Sequence, residues 1–156
     1  FLVGKFLGIS ALCIFNIAIV CIGSALAMNS NYGAVPVTFY SGCALIAGEA
    51  VMLTAVGIFL SLLMSEALAA VGLFVVFAVG HAVYMLPIVS SGGMAKLFTI
   101  VSYVIPNFNH TDFKTLLGNG IELPRQLLLA ALGYAAAYAA AVTGASVAVF
   151  QRQDVG

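Results

Sequence analysis

Residues 43–89 read "CALIAGEAVMLTAVGIFLSLLMSEALAAVGLFVVFAVGHAVYMLPIV". Within them the only ionisable carboxylates and imidazoles are Glu49, Glu66 and His81. A bilayer core about 30 Å thick is crossed by roughly 20 apolar residues in a helix. The stretch holds two such runs, Cys43–Met64 and Ala67–Val89, separated by Ser65 and Glu66 alone. So short a break forces a tight antiparallel helical hairpin, and it sets the reading of the rest of the chain.

Working outward, two further segments meet the same length requirement, Phe6–Met28 and Gln126–Phe150. The first is broken by "NSNYGAVP", a cluster of turn formers that includes Pro36. The last follows "ELPR", where Pro124 suits a helix entrance and Arg125 reaches the headgroups. It stops at the polar "QRQD". The fold expected is all-α: one polytopic membrane domain over residues 1–156 with four transmembrane helices.

Composition agrees. The chain of 156 residues is 63% hydrophobic and 6% charged, with a mean hydropathy of +1.19. Soluble domains carry about 25% charged residues, so hydrocarbon rather than water must solvate most of this surface. A net charge of zero supplies no field to draw in nucleic acid or an anionic surface. Cys13, Cys21 and Cys43 lie in apolar runs without CxxC or Cys–His spacing and read as small hydrophobes. The chain opens on Phe1 without a charged region and cleavage site, so a signal peptide is not expected and a missing beginning is.

Between the third and fourth spans lies "SYVIPNFNHTDF", residues 102–113, polar between apolar flanks. "MAKLFTIVSYVI" before it is too short to cross and ends at Pro106, which cannot continue a helix. "TDFKTLLGNG" after it reads as a short helix with Thr111 as N-cap, Asp112 at its positive end and Gly118 as its stop. Together they predict a re-entrant or interfacial helical hairpin over residues 94–120, with an ordinary surface loop as the alternative. Pro106, Asn107, Asn109 and Asp112 form its elbow. Asn and Asp there can line water or simply make turns. Asn109-His110-Thr111 is formally a glycosylation sequon.

An ionisable group at membrane depth costs a few kcal/mol, roughly, and so faces the protein interior. Glu49 and His81 each lie about 16 residues from the Ser65–Glu66 turn, hence ~24 Å along their helices and level with each other. They can form a buried polar tie, or Glu49 can reach water near the outer headgroups, or the two can act as a proton- or substrate-sensing pair, with Tyr84 one turn beyond His81. Asn16, in the middle of the first span, suits an interhelical hydrogen bond. Small residues mark packing faces: Gly4 and Gly8 in the first span, and Ala136, Ala140, Gly144 and Ala148 in the last. Packing within the subunit is the expectation, with a seam between two copies as the alternative.

Four crossings put both ends on one side of the membrane. Lys5 and Arg152 flank that side, whereas Lys96, Lys114 and Arg125 belong to the other, so counting cations leaves the orientation open. Catalytic motifs are missing: no GxxxxGK[ST] loop, no HExxH and no GxSxG. The chain is not expected to be an enzyme or to hold a metal.

"FLVGKFLG" at the start, the insert ending "IPNFN", and the closing "VFQRQDV" resemble the permease subunits of ABC-2 type transporters. The matching positions are Gly4, Lys5 and Gly8, then Pro106, Asn107 and Asn109, then Phe150, Arg152 and Asp154. The resemblance covers the family's last four helices and implies that two more precede Phe1. It implies cytoplasmic termini in the plasma (inner) membrane, an elbow outside that caps the exit of a transport route, and export as the activity. It also implies a separate ABC ATPase subunit carrying ATP and Mg, engaged through helix ends at Lys5, Glu66 and Arg152, and a second permease subunit. Two rivals stand beside it: a proton- or ion-coupled carrier using Glu49 and His81, and a structural membrane anchor of a larger complex.

Overall fold

A computed structural model describes residues 1–82, 105–108 and 111–153, apart from the side chains of Lys114, Thr115 and Gln153. The described elements are α1 (Leu2–Tyr32), α2 (Val37–Leu63), α3 (Glu66–Ala82), α4 (Lys114–Gly118) and α5 (Arg125–Gln153). Among the described residues there is no strand. Three helices, α1, α2 and α5, are long and apolar enough to cross a membrane. The described part of the third expected span is the 17-residue α3. Its continuation over residues 83–89 lies outside the described residues, as do the first arm of the expected hairpin, Tyr84, Lys96, Asn109, His110 and Asp154.

Helix ends follow local chemistry. Gly33, at φ 73°, takes the left-handed position that closes α1, and its N–H donates to the Asn29 carbonyl at 3.0 Å. Pro36 sits extended at the N-cap of α2, where its missing N–H leaves nothing unsatisfied. Both helices overrun the apolar limits read from the sequence: α1 takes in Lys5 and the polar Asn29–Tyr32, and α2 begins six residues earlier, at Val37. Hydropathy finds where hydrocarbon ends, but a helix continues until a cap stops it. Only Met64 and Ser65 separate α2 from α3.

The organising element is α2. It buries Leu45, Glu49, Met52, Ala55, Val56 and Ile58, whereas α1 buries only Leu2 and Ser10. Its most extensive partner is α5, with α1 and α3 on its other sides. The seam with α5 is made of small residues. Ala131, Ala135 and Ala139 are buried, and Ser146 with them. A Cβ on Gly48 would lie 3.3 Å from Leu132 Cδ2 and 3.4 Å from Ala135 Cβ, so glycine lets the two backbones approach.

This corrects the expected packing faces. Ala136, Ala140, Gly144 and Ala148 are exposed, and the buried stripe runs one position earlier. Nothing lies within 4 Å of where a Cβ would stand on Gly4, Gly8 or Gly144. Small residues fall on several faces of α5, so composition could not select one; α2 selects it by offering Gly48 and Leu45. The cysteines need correction too. Cys21 of α1 and Cys43 of α2 form a disulfide, their Cα atoms 6.5 Å apart, and Cys13 is free. Spacing could not reveal the pair, because it depends on the antiparallel alignment of two helices.

The outer surface is as apolar as the core. Phe74 is 71% exposed and Val20 67%, with Leu12, Phe15, Leu26 and Leu129 also bare. A soluble monomer rarely exposes contiguous apolar patches of this extent. The chain has the surface of a membrane protein.

Candidate functional site

The polar elbow does not float at the surface. Phe108 is completely buried and packs against Met52 of α2 and Ala135 of α5. On the α3 side its ring stacks on His81, with centroids 5.0 Å apart and planes at 22°, and meets Phe77 at 5.9 Å. The socket exists because residue 80 is glycine. A Cβ there would fall 2.5 Å from Phe108 Cδ2 and 2.6 Å from the Pro106 carbonyl oxygen. Three helices thus hold one aromatic knob.

Polar contacts fix the knob's stem. The Asn107 N–H donates to Tyr134 Oη at 3.1 Å, which ties the elbow to α5. Thr111 is fully buried, and its hydroxyl donates to the Phe108 carbonyl at 2.8 Å. The Thr111 N–H donates to the same oxygen at 2.9 Å, so the turn is closed twice. Thr111 Oγ1 also lies 3.4 Å from Glu49 Oε1. That carboxylate oxygen is 3.5 Å from His81 Nε2. His81 Nδ1 donates to the Phe77 carbonyl at 3.0 Å. A carbonyl only accepts, so Nδ1 carries a proton and Nε2 is the nitrogen left for Glu49.

Beyond the elbow, α4 lays Leu117 on Leu45 of α2 and Ala131 of α5. Thus α4 covers one end of the α2–α5 seam, and the elbow reaches from there to Met52 near the middle of α2. Under the elbow lies a cavity of about 230 Å³, bordered by Val56, Leu60, Val76, Tyr138 and, as its roof, Ile105 and Pro106. Its wall is almost wholly apolar. Among the described residues no group of three or more His, Cys, Asp or Glu side chains is placed to hold a metal.

The structure brings together Glu49, His81, Pro106 and Asn107 among the residues singled out from sequence. It separates others. Asn16 is exposed and turns its amide to its own helix, donating to the Leu12 carbonyl at 2.9 Å, so it makes no interhelical bond there. Asp112 is exposed. Thr111 is not the N-cap of α4, which starts at Lys114; its hydroxyl is committed to the elbow turn. Lys5, Glu66 and Arg152 are exposed at helix ends opposite the elbow. Sequence reasoning missed Phe108, Gly80 and the Tyr134 hydroxyl as a partner. One signal was available: a large aromatic flanked by Asn107 and Asn109 in an otherwise polar turn needs a place to be buried. No protein-family model, curated protein or solved structure matches the chain.

Proposed function

We propose that this chain is the membrane-spanning permease subunit of an ATP-driven ABC-2 type transporter, exporting its substrate, with the elbow as the outer cap of the route. The observation that carries the reading is the burial of Phe108 among three helices, directly above an apolar cavity. A polar turn fixed there closes one end of a helix bundle, and a turn held by one aromatic knob and a few hydrogen bonds can leave. The order of the Gly4–Lys5–Gly8, Pro106–Asn107 and Phe150–Arg152 features supports the family assignment.

Under this reading both ends of the chain are cytoplasmic and the membrane is the plasma (inner) membrane. The Cys21–Cys43 bond supports that orientation, because it lies in the elbow-side halves of α1 and α2. Disulfides persist where the compartment is oxidising. ATP and Mg bind a separate ATPase subunit, which meets the helix ends near Lys5, Glu66 and Arg152. A second permease subunit has the exposed small faces, Gly4 with Gly8 and Ala136 with Ala140 and Gly144, to pack on. The cavity wall favours a hydrophobic substrate, whether lipid, drug or peptide.

Purification from native membranes in mild detergent tests this. Recovery of an ATPase subunit, with ATP-dependent transport lost when Phe108 is replaced by Ala, is the expected result. Transport that follows a pH gradient without any ATPase, and collapses in Glu49→Gln, instead establishes a proton-coupled carrier, the reading that the Glu49–His81 contact favours. Neither activity in a stably assembled larger complex leaves a structural anchor.

A further inference from the structure

A second cavity, of about 490 Å³, lies away from the elbow between α1, α2 and α3. Its lining includes Lys5, Ile9 and Cys13 of α1 and Thr54, Gly57 and Ser61 of α2. The two hydroxyls ask nothing of an occupant. Thr54 donates to the Ala50 carbonyl and Ser61 to the Ile58 carbonyl, each at 2.8 Å. The wall therefore suits hydrocarbon, and Lys5 is the one lining residue with a charge to satisfy.

The ends of the groove are equally telling. Lys5 stands in the first turn of α1 and Ser61 in the last turn of α2, so both mark the same membrane boundary. From Lys5 the groove runs along α1 to Cys13, ~12 Å at the helical rise. A bilayer core about 30 Å thick gives each leaflet roughly 15 Å of hydrocarbon. The groove has the depth of one leaflet, an apolar body and a cation at its headgroup end.

We propose that this groove is a binding site for an anionic phospholipid of the leaflet at the Lys5 end, with an acyl chain along α2 and the phosphate on the Lys5 ammonium. The chain's zero net charge provides no long-range attraction, so the preference is local to this residue. Glu66 and Arg152 are the other described charges at that end, and neither lines the groove. The site does not depend on the transport reading.

Native mass spectrometry on the protein released from nanodiscs of equal phosphatidylglycerol and phosphatidylcholine tests it. Wild type should retain the anionic lipid about five-fold over the zwitterionic one, the worth of one cation near a headgroup. Lys5→Gln should abolish that preference while lipid is still retained. Thr54→Phe, which fills the groove, should lower retention of both lipids. Arg152→Gln should change nothing. Equal retention of both headgroups by wild type overturns the proposal, as does a loss in Arg152→Gln that matches the loss in Lys5→Gln. Cross-linking of two copies through Cys13, with no lipid retained, overturns it in favour of a protein helix as occupant.

Discussion

Gly80 has no side chain, and Phe108 together with the Pro106 carbonyl uses the vacated space. Gly80→Ala puts a methyl group where neither backbone nor ring can yield cheaply. Overpacking of this kind costs about 1–3 kcal/mol, and here the elbow must move. The expected outcome is faster hydrogen exchange at the Asn107 amide, which is now held by Tyr134, with α1 unaffected. An unchanged Asn107 amide would mean that the knob is not seated. Thr111→Val makes a subtler test, since it keeps shape and removes the hydroxyl donated to the Phe108 carbonyl. Loss of that bond and of the 3.4 Å contact to Glu49 Oε1, with the Thr111 N–H still in place, should cost about 1–2 kcal/mol in detergent unfolding. At this scale the sequence was half legible. Counting residues from the Ser65–Glu66 turn is enough to bring Glu49 and His81 level, because helical rise is constant. Nothing in that counting shows that Phe108 stacks on His81, since the elbow's path depends on tertiary contacts rather than on local propensity.

Among the elements, α5 shows how a helix face is chosen. Its alanines are so frequent that the stripe at Ala136, Ala140 and Gly144 is as smooth as the one at Ala131, Ala135 and Ala139. Only the second meets α2. Ala135→Leu should therefore destabilise the subunit by about 1–3 kcal/mol through overpacking, because its Cβ already faces the space at Gly48. Ala136→Leu should leave subunit stability unchanged. If both variants behave alike in thermal unfolding, the seam has been assigned to the wrong face. The α1–α2 pair carries a different tie. The Cys21–Cys43 bond closes a sequence separation of 22 residues, which on chain-entropy grounds stabilises by about 3 kcal/mol. Reductant should lower the unfolding midpoint of wild type and of Cys13→Ser, but not of Cys43→Ser. The apolar runs were readable because hydrophobicity over 20 residues is a strong signal. Their rotation and pairing were not, for an all-round apolar helix carries no preferred face in its own sequence.

The whole molecule joins these parts into one directional object. The 33–36 turn and α4 lie at one end, with the disulfide in the same halves of α1 and α2 and the elbow reaching in to Met52 near the middle of α2, while Lys5, the Ser65 turn and Arg152 lie at the other end. Cation counting could not orient it, since Lys5 and Arg152 face three cations in the opposite loop. Redox chemistry offers a separate handle, as a disulfide near the elbow end favours an oxidising compartment on that side. The two sides also differ in what they present: on one the elbow borders an apolar cavity, on the other stand bare helix ends with charges. The proposed function uses that asymmetry, with the drive at one side and the gate at the other. Single-cysteine reporters at Ser65 and Asn119, both exposed and at opposite ends, test the orientation directly. In intact cells a membrane-impermeant maleimide should label Asn119→Cys at once and Ser65→Cys only after permeabilisation. The reverse pattern would place the elbow in the cytoplasm and remove the outer cap from the proposed mechanism. Labelling of both from one side would mean that the described helices do not all cross.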